Sequence, residues 1–309
     1  MSKITIVGAG FVGSTAAYAM MIEGIAREIA LIDVNKEKAE GEAMDLEHGL
    51  NFVKECKLSF GSSYDLCKNS DIVVVCAGLA QKPGETRLQL VQKNAELFSR
   101  IIPEIAKNAP GCIMLIVTNP VDIMTYLAIK YAAGHGFDKR RIFGTGTALD
   151  TARLRFLLSE HFHISTKSIH AYILGEHGDS EFPVWSMANV AGLNIRHLDG
   201  YEARAMEIIF QKTRKAAYEI ISRKGATYYA IGTVITHICK AIINDFNEVV
   251  PVSTFIENYY DVSDVCLSVP CIIGKEGVER RIQLPLSQEE VNALRNSGNI
   301  LKNIIKGIN

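Results

Sequence analysis

The stretch KITIVGAGFVG, residues 3–13, decides the fold. A β-branched apolar run leads straight into G-x-G-x-x-G, and a helical pattern follows. A strand entering a glycine-rich turn that opens a helix is the first unit of a dinucleotide-binding βαβ. Gly8 permits the tight turn, Gly10 lets backbone approach a pyrophosphate, and Gly13 allows close helix–strand packing. The helix start then offers unpaired N–H groups and a positive dipole end to phosphate. Asp33 closes a second apolar run, LID, twenty positions after Gly13. A carboxylate there accepts hydrogen bonds from a ribose diol and repels a 2′-phosphate, which selects NAD over NADP.

Further along, EIALI, DIVVVC and CIMLIV read as strands too apolar to have a wet face. Helical patterns cover 12–23, 36–47, 88–109 and 121–133. Apolar strands alternating with helices predict an α/β fold, a Rossmann-like doubly wound parallel sheet. After about Thr145 the character changes. Helices are expected over 149–161, 200–222 and 226–244, then two β-rich stretches, VVPVSTFIE and VCLSVPCIIG, with a hairpin turn near Lys275. Ser287 and Glu290 have capping-box spacing at the head of a last helix. The expected organisation is an NAD-binding Rossmann domain over 1–145 and an α+β substrate domain over 146–309, closely packed around a cleft.

The 309 residues are 48% hydrophobic and carry a net charge of -1, so neither nucleic acid nor an acidic membrane is an expected partner. The seven cysteines are scattered, without a CxxC pair, which argues against a disulfide framework or zinc ribbon. Apolar runs are interrupted by Asn119, Pro120 and Asp122, no leader precedes the first strand, and a cytoplasmic protein is expected.

ILGEHGDSEFPVW sets His177 among glycines and acids at a strand end. An imidazole titrates near neutrality and can give a proton to the alkoxide formed by hydride transfer to a ketone. It works best with its other nitrogen held by a carboxylate; spacing alone leaves Asp150, Glu176 and Asp179 open. Asn119 follows an apolar strand, where a parallel sheet exposes ligand-binding residues, and is also a common turn residue before proline. AGLAQKPGETR, residues 77–87, is broken by Gly78, Pro83 and Gly84 and puts Gln81 and Arg87 on a hinged loop. His161 and His163 lack a third ligand at suitable spacing, so no metal is expected.

GAGFVG, LIDV, AGLAQKPGETR, VTNPVD, GTALDTARLR and GEHGDSEFP occur in the order found in the lactate/malate dehydrogenase family. The chain resembles that family over nearly its whole length, and within it the bacterial lactate-specific branch. The resemblance implies NAD as cofactor, bound by Gly8, Gly10, Val12, Gly13, Asp33, Asn119 and Ile231, and pyruvate and L-lactate as substrates. It assigns His177 as proton donor and acceptor and Asp150 as its orienting carboxylate. Arg153, three residues on, would anchor the substrate carboxylate through a bidentate fork. Asn119 would bond the substrate oxygen and Thr227 line the pocket. Arg87 would swing in to polarise the carbonyl, and Gln81 would touch the substrate's variable end, where malate-specific relatives carry arginine. The family's effector site corresponds to Arg155 and His170, implying activation by fructose 1,6-bisphosphate, and a homotetramer is the family expectation. Competing readings are a dehydrogenase for malate or another 2-hydroxy acid, and a nucleotide sensor without catalysis.

Overall fold

The computed structural model describes residues 2–79 and 87–308, with Arg87 described in its backbone alone. Six strands form the parallel part of the sheet: β1 (Lys3–Val7), β2 (Glu28–Ile32), β3 (Lys57–Gly61), β4 (Ile72–Val75), β5 (Ile113–Ile116) and β6 (Ile142–Gly144). They lie side by side in the order β3-β2-β1-β4-β5-β6. The connecting helices are α1 (Phe11–Glu23), α2 (Lys36–His48), α3 (Arg87–Asn108) and α4 (Val121–Ala133). Every residue of IVVV in β4 and IMLI in β5 is buried, as strands covered on both faces require. β3 and β6 are the two strands that composition hides. KLSFG lies at the sheet edge with mixed burial, and IFG is three residues long.

The second half contains α5 (Ala148–Phe162), the two-residue strands β7 (Ile169–His170), β8 (Ile173–Leu174), β9 (Phe182–Pro183), β10 (Asn189–Val190) and β11 (Leu193–Asn194), then α6 (Ala203–Lys224) and α7 (Tyr229–Ile243). β12 (Glu248–Ile256), β13 (Val265–Gly274), β14 (Gly277–Arg281) and α8 (Gln288–Lys306) follow. The long β-rich stretches do not build a sheet of their own. β12 pairs antiparallel with β6 at Ser253 and Gly144, and β13 and β14 continue outward to give nine strands in one mixed, mainly parallel sheet. Without that pairing the short β6 would leave a bare apolar edge. A second, smaller core of Leu154, Leu158, Ile169, Ile173, Met206 and Phe210 joins α5, α6 and the short strands.

Two expected helices start three residues late, α6 at Ala203 and α7 at Tyr229. Residues 225–228 break the chain between α6 and α7, because Gly225 adopts φ +84° and its N–H caps α6 on the Ile221 carbonyl. Thr227 therefore sits on an irregular connection rather than in a helix.

The last helix is pinned at its head. Ser287 Oγ accepts the Glu290 N–H at 3.3 Å while Glu290 Oε2 accepts the Ser287 N–H at 2.8 Å. The same buried carboxylate accepts the Ser186 N–H at 3.0 Å and its hydroxyl at 2.6 Å, tying α8 to the segment after β9. Ser287→Ala should cost about 1 kcal/mol. Glu290→Ala strands three donors and should cost about 2–3 kcal/mol. Chemical denaturation midpoints check the order; equal losses would mean the link to Ser186 adds nothing.

Candidate active site

The first glycine-rich turn has the shape an anion needs. Gly8 has φ +104°, and a Cβ there would meet the Ala77 backbone at 2.6 Å. A Cβ on Gly13 would lie 2.0 Å from the Gly8 carbonyl, so helix and turn touch without room for a side chain. Above Gly10 the space is open. Helix α1 has neither a side-chain cap nor an acidic first turn, which leaves its N–H groups and dipole available to phosphate. Asp33 Oδ2 accepts the Ala9 N–H at 2.9 Å and Oδ1 the Asn35 N–H at 3.0 Å. That fixes the carboxylate at the β2 end beside the turn while each oxygen keeps a free lone pair for a ribose. Val12 and Ile231 both pack, partly buried, against the main core, and a Cβ on Gly232 would meet Thr15 of α1 at 2.8 Å. These residues fit a dinucleotide.

The candidate groups come together from α5 and the loop after β8. Thr147 Oγ1 donates to the Ile173 carbonyl at 2.6 Å, and Thr151 Oγ1 accepts the Ile173 N–H at 2.9 Å, so α5 is fastened to β8 on both sides. Asp150 and Arg153 lie on the same face of α5. His177 follows β8 on a loop held at each turn. Ser297 Oγ of α8 accepts the Glu176 N–H at 2.8 Å, and Asp122 Oδ2 of α4 accepts the His177 N–H at 2.7 Å. The outcome is that His177 Nδ1 stands 2.6 Å from Asp150 Oδ2, while Arg153 Nη1 donates to Asp150 Oδ1 at 3.0 Å. The i,i+3 ion pair forms, and it also lines the cleft: a cavity of about 490 Å³ is bounded by Asn119, Asp150, Arg153, His177, Glu181, Arg214 and Tyr218, among others. Of the three acids that spacing left open, Asp150 is the one on the imidazole. Glu176 Oε2 instead accepts the Ser180 hydroxyl.

Burial by itself would depress the His177 pKa. The charge and hydrogen bond of Asp150, with Glu181 and Asp122 adding to them, outweigh it and raise the imidazole to about 9. Burial pushes Asp150 the other way, yet His177 and Arg153 hold it below the usual carboxylate range. His177 Nδ1 being engaged, Nε2 is the nitrogen left for a substrate. The ring is thus held by one nitrogen with the other left open.

Four residues that sequence reasoning passed over complete the surroundings. Asp122, buried and lifted to about 6 chiefly by that burial, also accepts the Ser253 hydroxyl at 2.6 Å and so joins α4, β12 and the His177 loop. Asn94, fully buried in α3, accepts the Leu79 N–H at 2.8 Å and donates to the Asn119 carbonyl at 3.1 Å. Glu181 is buried against Asp150 and His177, and Arg214 of α6 donates to the Asp179 carbonyl. Asp122 lay in VTNPVD, in the first turn of a helix after an apolar strand, which was a usable signal; the other three had none.

Asn119 is exposed beside the cleft, precedes Pro120 through a cis peptide bond, and accepts the Val121 N–H on its side-chain oxygen at 3.2 Å. Thr227 is half-buried in the α6–α7 break. Arg155 donates from Nε to the Ala171 carbonyl at 3.0 Å, next to exposed His170, with its guanidinium 5.1 Å from the Tyr172 ring centre. Gln81 and the Arg87 side chain lie outside the described residues; Arg87 opens α3. His161 Nε2 faces the Gly200 carbonyl at 3.0 Å. Among the described residues the one trio able to face a single ion is Asp150, His177 and Glu181, but both Asp150 oxygens are engaged and the Arg153 guanidinium stands against a second cation. Among these residues no helix is long and apolar enough to cross a membrane.

Comparison with known proteins gives the same answer from both halves. The lactate/malate dehydrogenase NAD binding domain matches residues 2–144, and the alpha/beta C-terminal domain of that family matches 147–309. An L-lactate dehydrogenase of Acetivibrio thermocellus is 49% identical over 99% of this chain and 97% of its own length. L-lactate dehydrogenase 1 of Clostridium acetobutylicum is 46% identical over 99% and 98%. A crystal structure of a lactate dehydrogenase enzyme from a Medee basin deep-sea metagenome library superposes with a TM-score of 0.95 at 44% identity, over 99% of this chain and 98% of that one. With a dinucleotide turn at one end of the sheet and a supported imidazole across the cleft, the chain belongs to the lactate/malate dehydrogenase family and is an NAD-dependent oxidoreductase.

Proposed function

We propose that the chain is an L-lactate dehydrogenase that reduces pyruvate to L-lactate and runs the reverse reaction, and that His177 is its proton donor and acceptor. The observation that carries this reading is the division of Asp150 between Arg153 and His177 within one cavity. Bound NADH supplies the hydride. Arg153 presents a guanidinium to the substrate carboxylate, and the fork fixes the keto carbon relative to the cofactor. His177, protonated at neutral pH, gives its proton to the oxygen on which charge develops. Asp150 keeps the ring's orientation and stabilises the imidazolium. Asn119 bonds the same oxygen, Thr227 lines the pocket, and Arg87 adds its charge as its loop closes and water leaves.

The relatives named above are called L-lactate dehydrogenases, which supports pyruvate over its longer competitors. The residue at the variable end supports it independently. Gln81 has no charge to pair with a second carboxylate, and closing a loop over an unpaired one costs several kcal/mol. Each ~1.4 kcal/mol is tenfold. NADH absorbance loss with pyruvate, oxaloacetate and a branched 2-keto acid in parallel should therefore favour pyruvate. Gln81→Arg should shift the ratio of kcat/KM toward oxaloacetate; an unchanged ratio removes Gln81 from substrate selection, and turnover of none of the three leaves only a nucleotide sensor.

Replacing the supporting acid isolates the proton step. Asp150→Asn should lower kcat for pyruvate by about 10²–10⁴, the usual worth of general acid catalysis, with a smaller change in NADH binding. It should also lower the His177 pKa, since the group that raises it is gone. Imidazole NMR checks the direction; an unaltered titration refutes the role given to Asp150.

Arg155 and His170 support control by fructose 1,6-bisphosphate, two phosphates meeting a guanidinium and an exposed imidazole across a subunit interface of a cytoplasmic homotetramer. The bisphosphate should lower the pyruvate KM, and His170→Ala should abolish that response while leaving the effector-free curve unchanged. Wild-type curves that coincide with and without the bisphosphate end the idea.

A further inference from the structure

Glu181 has no part in the reaction described above, yet it lies inside the same cavity. Its residue is 6% exposed, and Oε1 is, among the described residues, the one buried side-chain nitrogen or oxygen with no hydrogen-bond partner. Ligand atoms of Glu181, Asp150 and His177 all lie within 4.8 Å of one another. A carboxylate so placed lacks the donors that would satisfy a full charge, and it sits beside the Asp150 anion.

We propose that Glu181 is a positioning residue for proton transfer, a buried acid whose charge state sets how tightly His177 holds the proton it passes to substrate. The proposal rests on the dehydrogenase reading. The groups facing the acid come from every element around it. Asp150 and Arg153 project from α5, Arg214 from α6, and His177 from its own loop, with Asp179 beside Arg214 and Asp122 behind the His177 backbone. Burial and the Asp150 charge raise Glu181 to about 9, against the pull of His177, Arg214 and Arg153. The acid is then neutral at pH 7 and ionises in the range where His177 would deprotonate. An anion formed there favours the imidazolium, so the two groups titrate together. Reduction moves one proton from His177 Nε2 to the substrate oxygen, and one solvent proton restores the ring. Glu181 acts on the second event, by making the ring a stronger base once the acid has ionised.

The sign is definite. His177 must be protonated for ketone reduction and neutral for alcohol oxidation. Glu181→Gln keeps the shape and removes the ionisable group, so the His177 pKa should fall. The alkaline limb of pyruvate kcat/KM and the acid limb of lactate kcat/KM should both move to lower pH, by about one unit. A merely structural glutamate would alter both rates without moving either limb. Limbs that stay in place while the variant turns over normally overturn the proposal and leave the dehydrogenase reading intact. Carboxyl and imidazole NMR of the wild-type protein decide the matter without any variant and without turnover. Glu181 titrating above neutrality, together with His177, is the expected result; titration below about 5, in the ordinary carboxylate range, refutes the role.

Discussion

A carboxylate as buried as Asp150 has to be paired on both oxygens, and that requirement organises the cleft. Leaving either oxygen bare would cost more than one hydrogen bond contributes. One oxygen takes a guanidinium from its own helix, and the other takes an imidazole from a loop that arrives from another part of the chain. The helix partner comes free with i,i+3 spacing. The loop partner does not, so α5 and β8 must be held in register. Thr147 and Thr151 provide that hold by bonding both polar groups of Ile173. The two threonines flanking Asp150 are thus structural, and their hydroxyls place the carboxylate.

The His177 loop is constrained from the opposite side by groups that neither bind nor react on the proposed reading. Asp122 reaches it from α4, at the carboxyl end of the parallel sheet, and Ser297 reaches it from α8. Asp122 is itself fixed by Ser253 on β12, the strand that pairs with β6. The sheet that binds the dinucleotide turn at one place therefore supports the imidazole at another through one hydrogen-bonded path. A shift of β12 against β6 would move Asp122 and the backbone of His177 with it. This is why the β-rich stretches of the second half serve the cleft better inside the large sheet than in a separate one.

The parallel sheet was legible because burial on both faces forces continuous apolar runs, as in IVVV and IMLI, and because GAGFVG has a strand before it and a helix after. β3 and β6 were not legible: one is a half-exposed edge, the other too short to form a pattern. The joining of β12 to β6 was also hidden, since strand pairing between distant segments leaves no local trace in composition. Asp150 could not be chosen over Glu176 and Asp179 by spacing, because the choice depends on a contact between residues 27 positions apart. Asn94 and Glu181 were invisible for the same reason. Their meaning lies in what surrounds them, a buried amide bridging two loops and an acid without a donor, and neither property has a sequence period.

Charge in the cavity bears on which acid it accepts. The cavity wall presents three cations, the His177 imidazolium, Arg153 and Arg214, against the carboxylates of Asp150 and Asp179, while burial and the Asp150 charge favour the protonated form of Glu181. Asp122 lies behind the backbone, its oxygens engaged by an N–H and a hydroxyl. On the proposed reading, a monocarboxylate brought to Arg153 would balance that surplus, and a hydrogen bond to the developing alkoxide gains strength in a nearly neutral site. A dicarboxylate overshoots by one charge unless its far end meets another cation. On the proposed reading, selection between the two would depend less on pocket volume than on whether the residue at the variable end is charged.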